Sequence, residues 1–194
     1  SSAASDVYKR QGKFRPIAGY LKEAAGLSSD QFLVKYKHPV LLWPQAGDWI
    51  EDTAFQFETY SSEYTDELPE TISPSTESQI TETVVVEILK QASSAPTNMI
   101  CVGRAANNDI VLANNTVSKL HTYFLMSEKG DAYDIVDANS TNGTVVNNKQ
   151  LVAYKNQPLV NRDNIQFGPS IQMVYLTPQG FYELLQQLHR SGLT

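Results

Sequence analysis

Five polar residues in the second half of the chain have the side chains needed to hold a phosphate group: Arg104, Ser118, Lys119, Thr141 and Asn142. A phosphorylated side chain carries roughly two negative charges and three acceptor oxygens, so a protein that recognises it needs cations and neutral donors at different angles. Arginine provides two parallel N–H donors, lysine provides a compact charge, and the other three provide hydroxyl or amide donors. The set therefore predicts a phosphate-binding site.

Three of these residues belong to two short motifs, the first of which directly follows an apolar segment. Arg104 comes directly after Gly103, and Ser118 begins a Ser-x-x-His pattern that ends at His121. Loops carried by a rigid scaffold are a common place for binding groups. Lys119 lies within the second motif. We therefore expect the Arg104 guanidinium on one loop to lie near the Ser118 hydroxyl and the Lys119 ammonium on a neighbouring loop.

The run 137–147 is the longest of the candidate motifs. It reads Asp-Ala-Asn-Ser-Thr-Asn-Gly-Thr-Val-Val-Asn, with Thr141 and Asn142 just before Gly143. Gly143 can adopt positive φ after an asparagine, which predicts a tight turn whatever the run does. A hairpin alone explains Asn-Gly, but it does not explain the Ser-Thr pair before it or the Thr-x-x-Asn pattern after it.

Taken in order, these motifs resemble the forkhead-associated (FHA) domain, a β-sandwich that reads phosphothreonine. Each fragment alone occurs by chance in many proteins, whereas all of them in one order are a specific match. The resemblance covers Thr83 to Leu176. The matching order is Gly103-Arg104, Asn108-Asp109, Ser118 to His121, the run 137–147, and Arg162 to Gly168.

The resemblance implies a role for each candidate residue. Thr141 would contact the phosphate, and Asn142 would hold the ligand backbone and help to read the residues after the phosphothreonine. Many family members carry arginine at the position of Lys119, and His121 would be a buried hydrogen-bonding brace for the loop of Ser118. Asn108-Asp109 and the run 163–168 would have structural roles only. The full assignment is phosphopeptide binding for Arg104, Ser118, Lys119, Thr141 and Asn142, and structural support for Gly103, His121 and Gly143.

Many short strand-like segments with turn residues between them follow residue 83, which is typical of a β-sandwich and not of a parallel sheet. The resemblance implies an all-β fold, an FHA-type sandwich of about eleven short strands. Val40 to Trp43 and Phe55 to Thr59 indicate two earlier strands. Helical spacing of apolar residues predicts short helices from Ile17 and after Ser28, and Thr177-Pro178 predicts the start of a C-terminal helix packed on the sandwich.

Composition and the resemblance together predict five segments. We expect residues 1–13 to be a non-native or disordered leader, and 14–60 to be an N-terminal α+β extension of unknown role. The segment 61–80 has five acidic residues and no Lys or Arg among many Ser and Thr, which predicts an acidic linker. The FHA domain would occupy 81–177, and the C-terminal helix would occupy 178–194.

Charge and composition limit the partners. The formal net charge of −6 disfavours nucleic acid, because binding to a phosphate backbone needs many Lys and Arg acting together. Since no apolar run is long enough to cross a bilayer, we expect no membrane partner. Cys101 is the only cysteine, which excludes an internal disulfide and favours a reducing compartment, the cytoplasm. The expected partner is a Thr-phosphorylated protein of a Ser/Thr kinase pathway.

The sequence also bears on catalysis. It contains no Gly-rich phosphate loop, no His/Cys cluster with metal spacing and no paired carboxylates, so we expect no enzyme activity, no cofactor and no metal site. Two other functions stay open as alternatives. A scaffold of the same fold could bind a partner without phosphate through Trp43 and the aromatic strands of the N-terminal part, although it would not need Arg104. Ser118 and His121 could form a hydrolase pair, although the Gly-x-Ser-x-Gly elbow is missing.

Overall fold

The structure is a computed structural model that describes residues 14–44, 83–91, 98–126 and 132–193. The expected leader 1–13, the strand expected at 55–59 and the linker 61–80 lie outside the described residues. The strands are β1 (Phe14–Pro16), β2 (Val40–Trp43), β3 (Val84–Glu87), β4 (Ile100–Gly103), β5 (Ile110–Val111), β6 (Thr122–Met126), β7 (Tyr133–Asp137), β8 (Thr144–Val146), β9 (Lys149–Gln150), β10 (Gln157–Pro158), β11 (Asn164–Phe167) and β12 (Ile171–Leu176). The helices are α1 (Ile17–Ala24), α2 (Ser29–Lys35) and α3 (Pro178–Arg190).

The strands form two sheets with a shared apolar core. One sheet has the order β1-β3-β2-β12-β11-β8-β9, and the other has the order β10-β7-β6-β4-β5. Side chains from both sheets meet in the core, among them the fully buried Leu41, Phe124 and Phe167. Burying one such side chain stabilises a fold by about 1.5–3 kcal/mol. The predicted all-β sandwich is confirmed as two sheets packed on one core.

The strand β2 lies inside the larger sheet, between β3 and β12. Leu41 pairs with Val86 on one side and with Tyr175 on the other. Leu41 faces the core between the sheets, whereas Val40 and Leu42 face the opposite side, so β2 is buried on both faces. The extension expected at 14–60 thus contributes β1 and β2 to the sandwich, while the division of the chain into domains stays a prediction.

The three helices form a layer on the outer face of the larger sheet. Tyr20 of α1, Phe32 of α2 and Phe181 of α3 pack against one another and against Val40 and Leu42 of β2. This layer explains why β2 is apolar on both faces. None of the helices within the described residues is both long and apolar enough to cross a membrane.

Side-chain caps fix where two of the helices begin. Ser28 accepts a hydrogen bond from the backbone N–H of Gln31, and the Gln31 side chain accepts one from the backbone N–H of Ser28, which completes the predicted capping box. Thr177 accepts a hydrogen bond from the N–H of Gly180, and Pro178 occupies the first helical turn, as predicted. Local sequence therefore determines these helix starts.

Trp43 contributes to the fold. Its ring makes an edge contact with the ring of Phe14, with centroids 6.3 Å apart, and it packs against the core between the sheets. The phosphate-independent alternative used Trp43 and the aromatic strands of the N-terminal part, of which the strand expected at 55–59 lies outside the described residues. The Trp43 ring is partly buried against the core, so part of its surface serves the fold.

Candidate functional site

The candidate residues lie on loops that leave the smaller sheet at one end. Val102 of β4 pairs with Thr122 of β6, and Thr122 pairs with Asp137 of β7. Since these pairs lie side by side, the loop after β4, the loop before β6 and the loop after β7 all start or finish at the same end of the smaller sheet. Arg104 is in the first loop, Ser118 and Lys119 are in the second, and Thr141 and Asn142 are in the third.

The first two loops are joined through their backbones. The N–H of Arg104 donates to the carbonyl of Ser118 at 3.0 Å, and the N–H of Ala105 donates to the carbonyl of Lys119 at 3.2 Å. A Cβ atom on Gly103 would lie 2.3 Å from the Lys119 carbonyl oxygen, so only glycine permits this approach. The side chains of Arg104 and Lys119 are both exposed. Two cationic side chains are thus carried next to Ser118.

Buried polar side chains hold this pair of loops in place. The Asn108 amide donates to the carbonyl of Lys119 at 2.6 Å. Asp109 is buried, where it accepts hydrogen bonds from the N–H of Cys101 and from the ammonium of Lys90, both at 2.8 Å. A buried carboxylate is tolerated only when such partners surround it. The structural roles expected for Asn108 and Asp109 follow from these contacts.

Ser118 and Thr141 bring their hydroxyl groups together across two loops. Thr141 donates its backbone N–H to the Ser118 hydroxyl oxygen at 3.0 Å, and the Ser118 hydroxyl donates to the Thr141 hydroxyl oxygen at 3.3 Å. Thr141 is exposed and Ser118 is partly exposed. The two hydroxyls therefore form an accessible pair beside the Arg104 and Lys119 loops, where an incoming anion could accept hydrogen bonds from both.

The side chain of Asn142 is held by a backbone group that sequence reasoning did not identify. Its amide donates to the Thr116 carbonyl at 2.7 Å. Thr116 is fixed in turn by Asn114, whose side-chain oxygen accepts from the Thr116 N–H at 2.8 Å and from the Thr116 hydroxyl at 2.7 Å. The Asn-x-Thr pattern at 114–116 is a known turn-forming signal and could have indicated this support.

Asp137 supports the third loop from beneath. Its buried carboxylate accepts hydrogen bonds from the Ser140 N–H at 2.9 Å, the Ser140 hydroxyl at 2.7 Å and the Thr144 hydroxyl at 2.6 Å. Sequence reasoning included Asp137 in the motif without giving it a role. The Asp-x-x-Ser spacing is the available signal, because a carboxylate readily accepts from the backbone N–H three residues later.

His121 connects the second and third loops. Its ring is fully buried, Nδ1 accepts the backbone N–H of Ser118 at 3.0 Å, and Nε2 lies 3.1 Å from the carbonyl oxygen of Gly143. Since Nδ1 accepts, the proton is on Nε2 and is donated to Gly143. Gly143 has φ of 76°, in the left-handed region that the sequence predicted. The ring therefore bridges the loops that carry Ser118 and Thr141 and sets the distance between them.

The same contacts bear on the hydrolase alternative. A general base needs a ring nitrogen within hydrogen-bond reach of the nucleophilic hydroxyl. Both ring nitrogens of His121 contact backbone groups, and the hydroxyl of Ser118 contacts Thr141. This arrangement favours binding over nucleophilic catalysis by Ser118.

We expect the protein to lose stability below about pH 6.5 because His121 must be neutral to accept from Ser118. Burial lowers the pKa of His121 from its ordinary value of 6.5, while the hydrogen bond to Gly143 and the charge of Asp137 act in the opposite direction. The unfolded chain then binds its proton at a higher pH than the folded one. The free energy of unfolding should therefore fall as pH drops from 6.5 towards the lowered pKa, by at most about 1.4 kcal/mol per pH unit.

Urea unfolding measured between about pH 7.5 and 5.5 checks this expectation. Burial also lowers the pKa of His38, so the share of each residue has to be separated. His121→Gln should flatten the pH profile, and His38→Gln serves as the matched variant. Identical pH slopes in wild type and His121→Gln would show that the His121 ring contributes nothing to the profile.

The region that carries the candidate site is similar to known proteins. Residues 100–168 match the family model of the FHA domain. The oxoglutarate dehydrogenase inhibitor of Corynebacterium jeikeium (strain K411) is 39% identical over 74 residues, which are 38% of this chain and 47% of that protein. The glycogen accumulation regulator GarA of Mycolicibacterium smegmatis is 36% identical over 75 residues, which are 39% of this chain and 44% of that protein. The chain spans about half the length of these curated relatives.

A similar solved structure is the N-terminal FHA domain of Rad53p from S. cerevisiae, in complex with a phosphothreonine peptide. It is 22% identical, with a TM-score of 0.42, and the match covers 52% of this chain and 89% of that one. The family model covers the three loops described above, from β4 to the end of β11.

Proposed function

We propose that this chain, in which residues 100–168 form an FHA domain, is a phosphothreonine-dependent binding module of a Ser/Thr kinase signalling system. The observation that carries the proposal is the accessible hydroxyl pair of Ser118 and Thr141, joined at 3.3 Å beside the exposed Arg104 and Lys119. Neutral donors and two cations around one point are what a phosphate monoester needs.

Each side chain has a distinct part in this proposal. Arg104 would bind two phosphate oxygens in parallel, and Lys119 would add a compact charge. Ser118 and Thr141 would donate their hydroxyls to the remaining oxygens. Asn142, tethered to Thr116, would hold the ligand backbone and help to read the residues after the phosphothreonine.

A regulatory role without catalysis by the chain itself accords with the names of the two curated relatives, an inhibitor and a regulator. The partner would be a Thr-phosphorylated protein. We place this interaction in the cytoplasm, where Ser/Thr kinase substrates are phosphorylated and where a single reduced cysteine is the ordinary state.

We expect the module to bind phosphothreonine peptides, with distinctly weaker binding of matched phosphoserine peptides and no measurable binding of unphosphorylated ones. A buried methyl group contributes only about 1 kcal/mol, so a strong preference for phosphothreonine must also come from the restricted geometry of its β-branched side chain. A phosphothreonine peptide library supplies the sequence, and calorimetry on the three matched peptides gives the affinities. Equal affinity for all three would favour the phosphate-independent alternative.

A further inference from the structure

Exposed apolar side chains concentrate on one connecting segment outside the candidate site. The described residues contain six large hydrophobic side chains that are clearly exposed, and three of them lie within nine residues: Val152 at 68%, Tyr154 at 64% and Val160 at 64%. Single exposed hydrophobic residues are ordinary on a protein surface, whereas a local concentration indicates a contact surface.

This segment runs along the side of the sandwich where both sheets end. The strand β9 is the last strand of the larger sheet, and β10 is the last strand of the smaller one. We call the surface formed by residues 149–160 the β9–β10 edge. Each of its two strands presents one side that has no neighbouring strand among the described residues.

The β9–β10 edge begins at the base of the loop that carries Thr141 and Asn142. The N–H of Leu151 donates to the Thr144 carbonyl, and the N–H of Tyr154 donates to the Asp137 carbonyl, both at 2.9 Å. Asp137 and Thr144 are the residues on either side of that loop. The edge therefore adjoins the base of the loop that carries two residues of the proposed phosphopeptide site.

The backbone of Tyr154 supports a role in contact. Its φ is 60°, a left-handed conformation that a bulky aromatic residue seldom adopts and that persists only where surrounding bonds offset its cost in free energy. Here the hydrogen bond to Asp137 and that of Lys155 to the Val152 carbonyl at 3.1 Å hold the turn. The result is an exposed ring with a polar tip on a held backbone, the kind of side chain that is enriched at interfaces.

Charge and strand chemistry indicate what could bind there. Lys149 and Lys155 are exposed on the edge, and Asp134 beside it is engaged by the Asn156 side chain at 3.0 Å. Pro158 lies in β10 and has no N–H to donate, so the addition of a further strand is disfavoured there. Contacts through side chains, with acidic and apolar groups of a partner, are favoured instead.

We propose that the β9–β10 edge is a second contact surface for the phosphorylated partner itself. It receives a segment that carries Asp or Glu together with large apolar residues, in the same chain as the phosphothreonine but beyond the residues that the loops contact. This inference rests on the proposed function, and it adds the partner's flanking sequence to what the module recognises.

The experiment compares a short and a long phosphopeptide on the same proteins. The core sequence selected from a phosphothreonine library is extended by degenerate residues on both sides and selected again on the wild-type chain. Val152→Ser combined with Tyr154→Ser removes the apolar groups of the edge, and Val34→Ser, another exposed valine at 82% on α2, is the matched control. Melting temperatures verify that all proteins are folded.

We expect the second selection to enrich Asp, Glu and large apolar residues in the flanks. The double variant should bind the selected long peptide about tenfold more weakly than wild type, as truncation of an aromatic interface residue commonly does, and should bind the core peptide equally well. Val34→Ser should match wild type on both peptides.

Three outcomes would overturn the inference while the proposed function stands. The flanks show no enrichment, or the double variant binds the long peptide as wild type does. Alternatively, light scattering shows that the double variant abolishes self-association of the chain while both peptide affinities stay the same, which would assign the edge to a second copy. If wild type binds no phosphothreonine peptide at all, the proposed function fails and this inference fails with it.

Discussion

Arg104→Ala should weaken binding of a selected phosphothreonine peptide by about 30-fold or more and leave the melting temperature nearly unchanged. The guanidinium would form a charge-assisted bidentate pair with the phosphate, and losing it costs roughly 2–4 kcal/mol of binding free energy. The fold should tolerate the change because the Arg104 side chain is exposed, and its structural contact is the backbone bond to Ser118, which alanine retains. Calorimetry gives the affinity, and a thermal melt gives the stability.

Two further variants make this test specific. Arg190→Ala removes an equally exposed charge at the end of α3 and should leave the affinity unchanged. Arg104→Lys keeps the charge but loses the two parallel donors, so its affinity should lie between those of wild type and Arg104→Ala. If Arg104→Ala binds the phosphopeptide as tightly as wild type, the guanidinium does not contact the phosphate and the proposed site is wrong.

His121→Ala should lower both the stability of the protein and its affinity for the phosphopeptide. The substitution leaves a cavity and removes the partners of the Ser118 N–H and the Gly143 carbonyl, both held by the ring at about 3 Å. Buried groups left without partners cost about 1–3 kcal/mol each, so we expect the free energy of unfolding to fall by about 2–4 kcal/mol. For a chain of this size that is a drop in melting temperature of roughly 5–15 °C.

His189→Ala is the matched control, because His189 is exposed on α3 and its removal should change neither quantity. Urea unfolding and calorimetry below the melting temperature measure stability and affinity separately. A hydrolase would behave differently: it would turn over an activated ester, and His121→Ala would abolish that turnover without lowering the melting temperature. That pattern would refute the bracing role.

Residue types in sequence order were enough to predict the candidate site residues and the local structure around them. Arg104, Ser118 and Thr141 carry functional groups that can bind phosphate, a guanidinium and two hydroxyls. Gly143 has the positive φ that its Asn-Gly context predicts. The starts of α2 and α3 follow from caps within four residues, Ser28 to Gln31 and Thr177 to Gly180. Such features depend on neighbours in the chain, so the sequence contains them directly.

The pairing of β2 could not be predicted in this way. Its four apolar residues indicate a buried strand, but the partners Val86 and Tyr175 are distant in sequence. Several apolar strands would have satisfied the same pattern, because hydrophobic burial is not directional. The choice between them depends on which faces remain to be covered once the helix layer and the second sheet are in place.

The same reason separates the chemistry of the site from its geometry. By itself the sequence determined where two helices begin and where the turn at Gly143 falls, and it predicted which side chains would bind phosphate. Only the tertiary structure decided that His121 spans from Ser118 to Gly143, that the Thr116 carbonyl holds Asn142, and that Tyr154 stands exposed beside Asp137. In each case one partner is a backbone group on a segment distant in sequence, so the partners meet only once the sheets have brought the loops together.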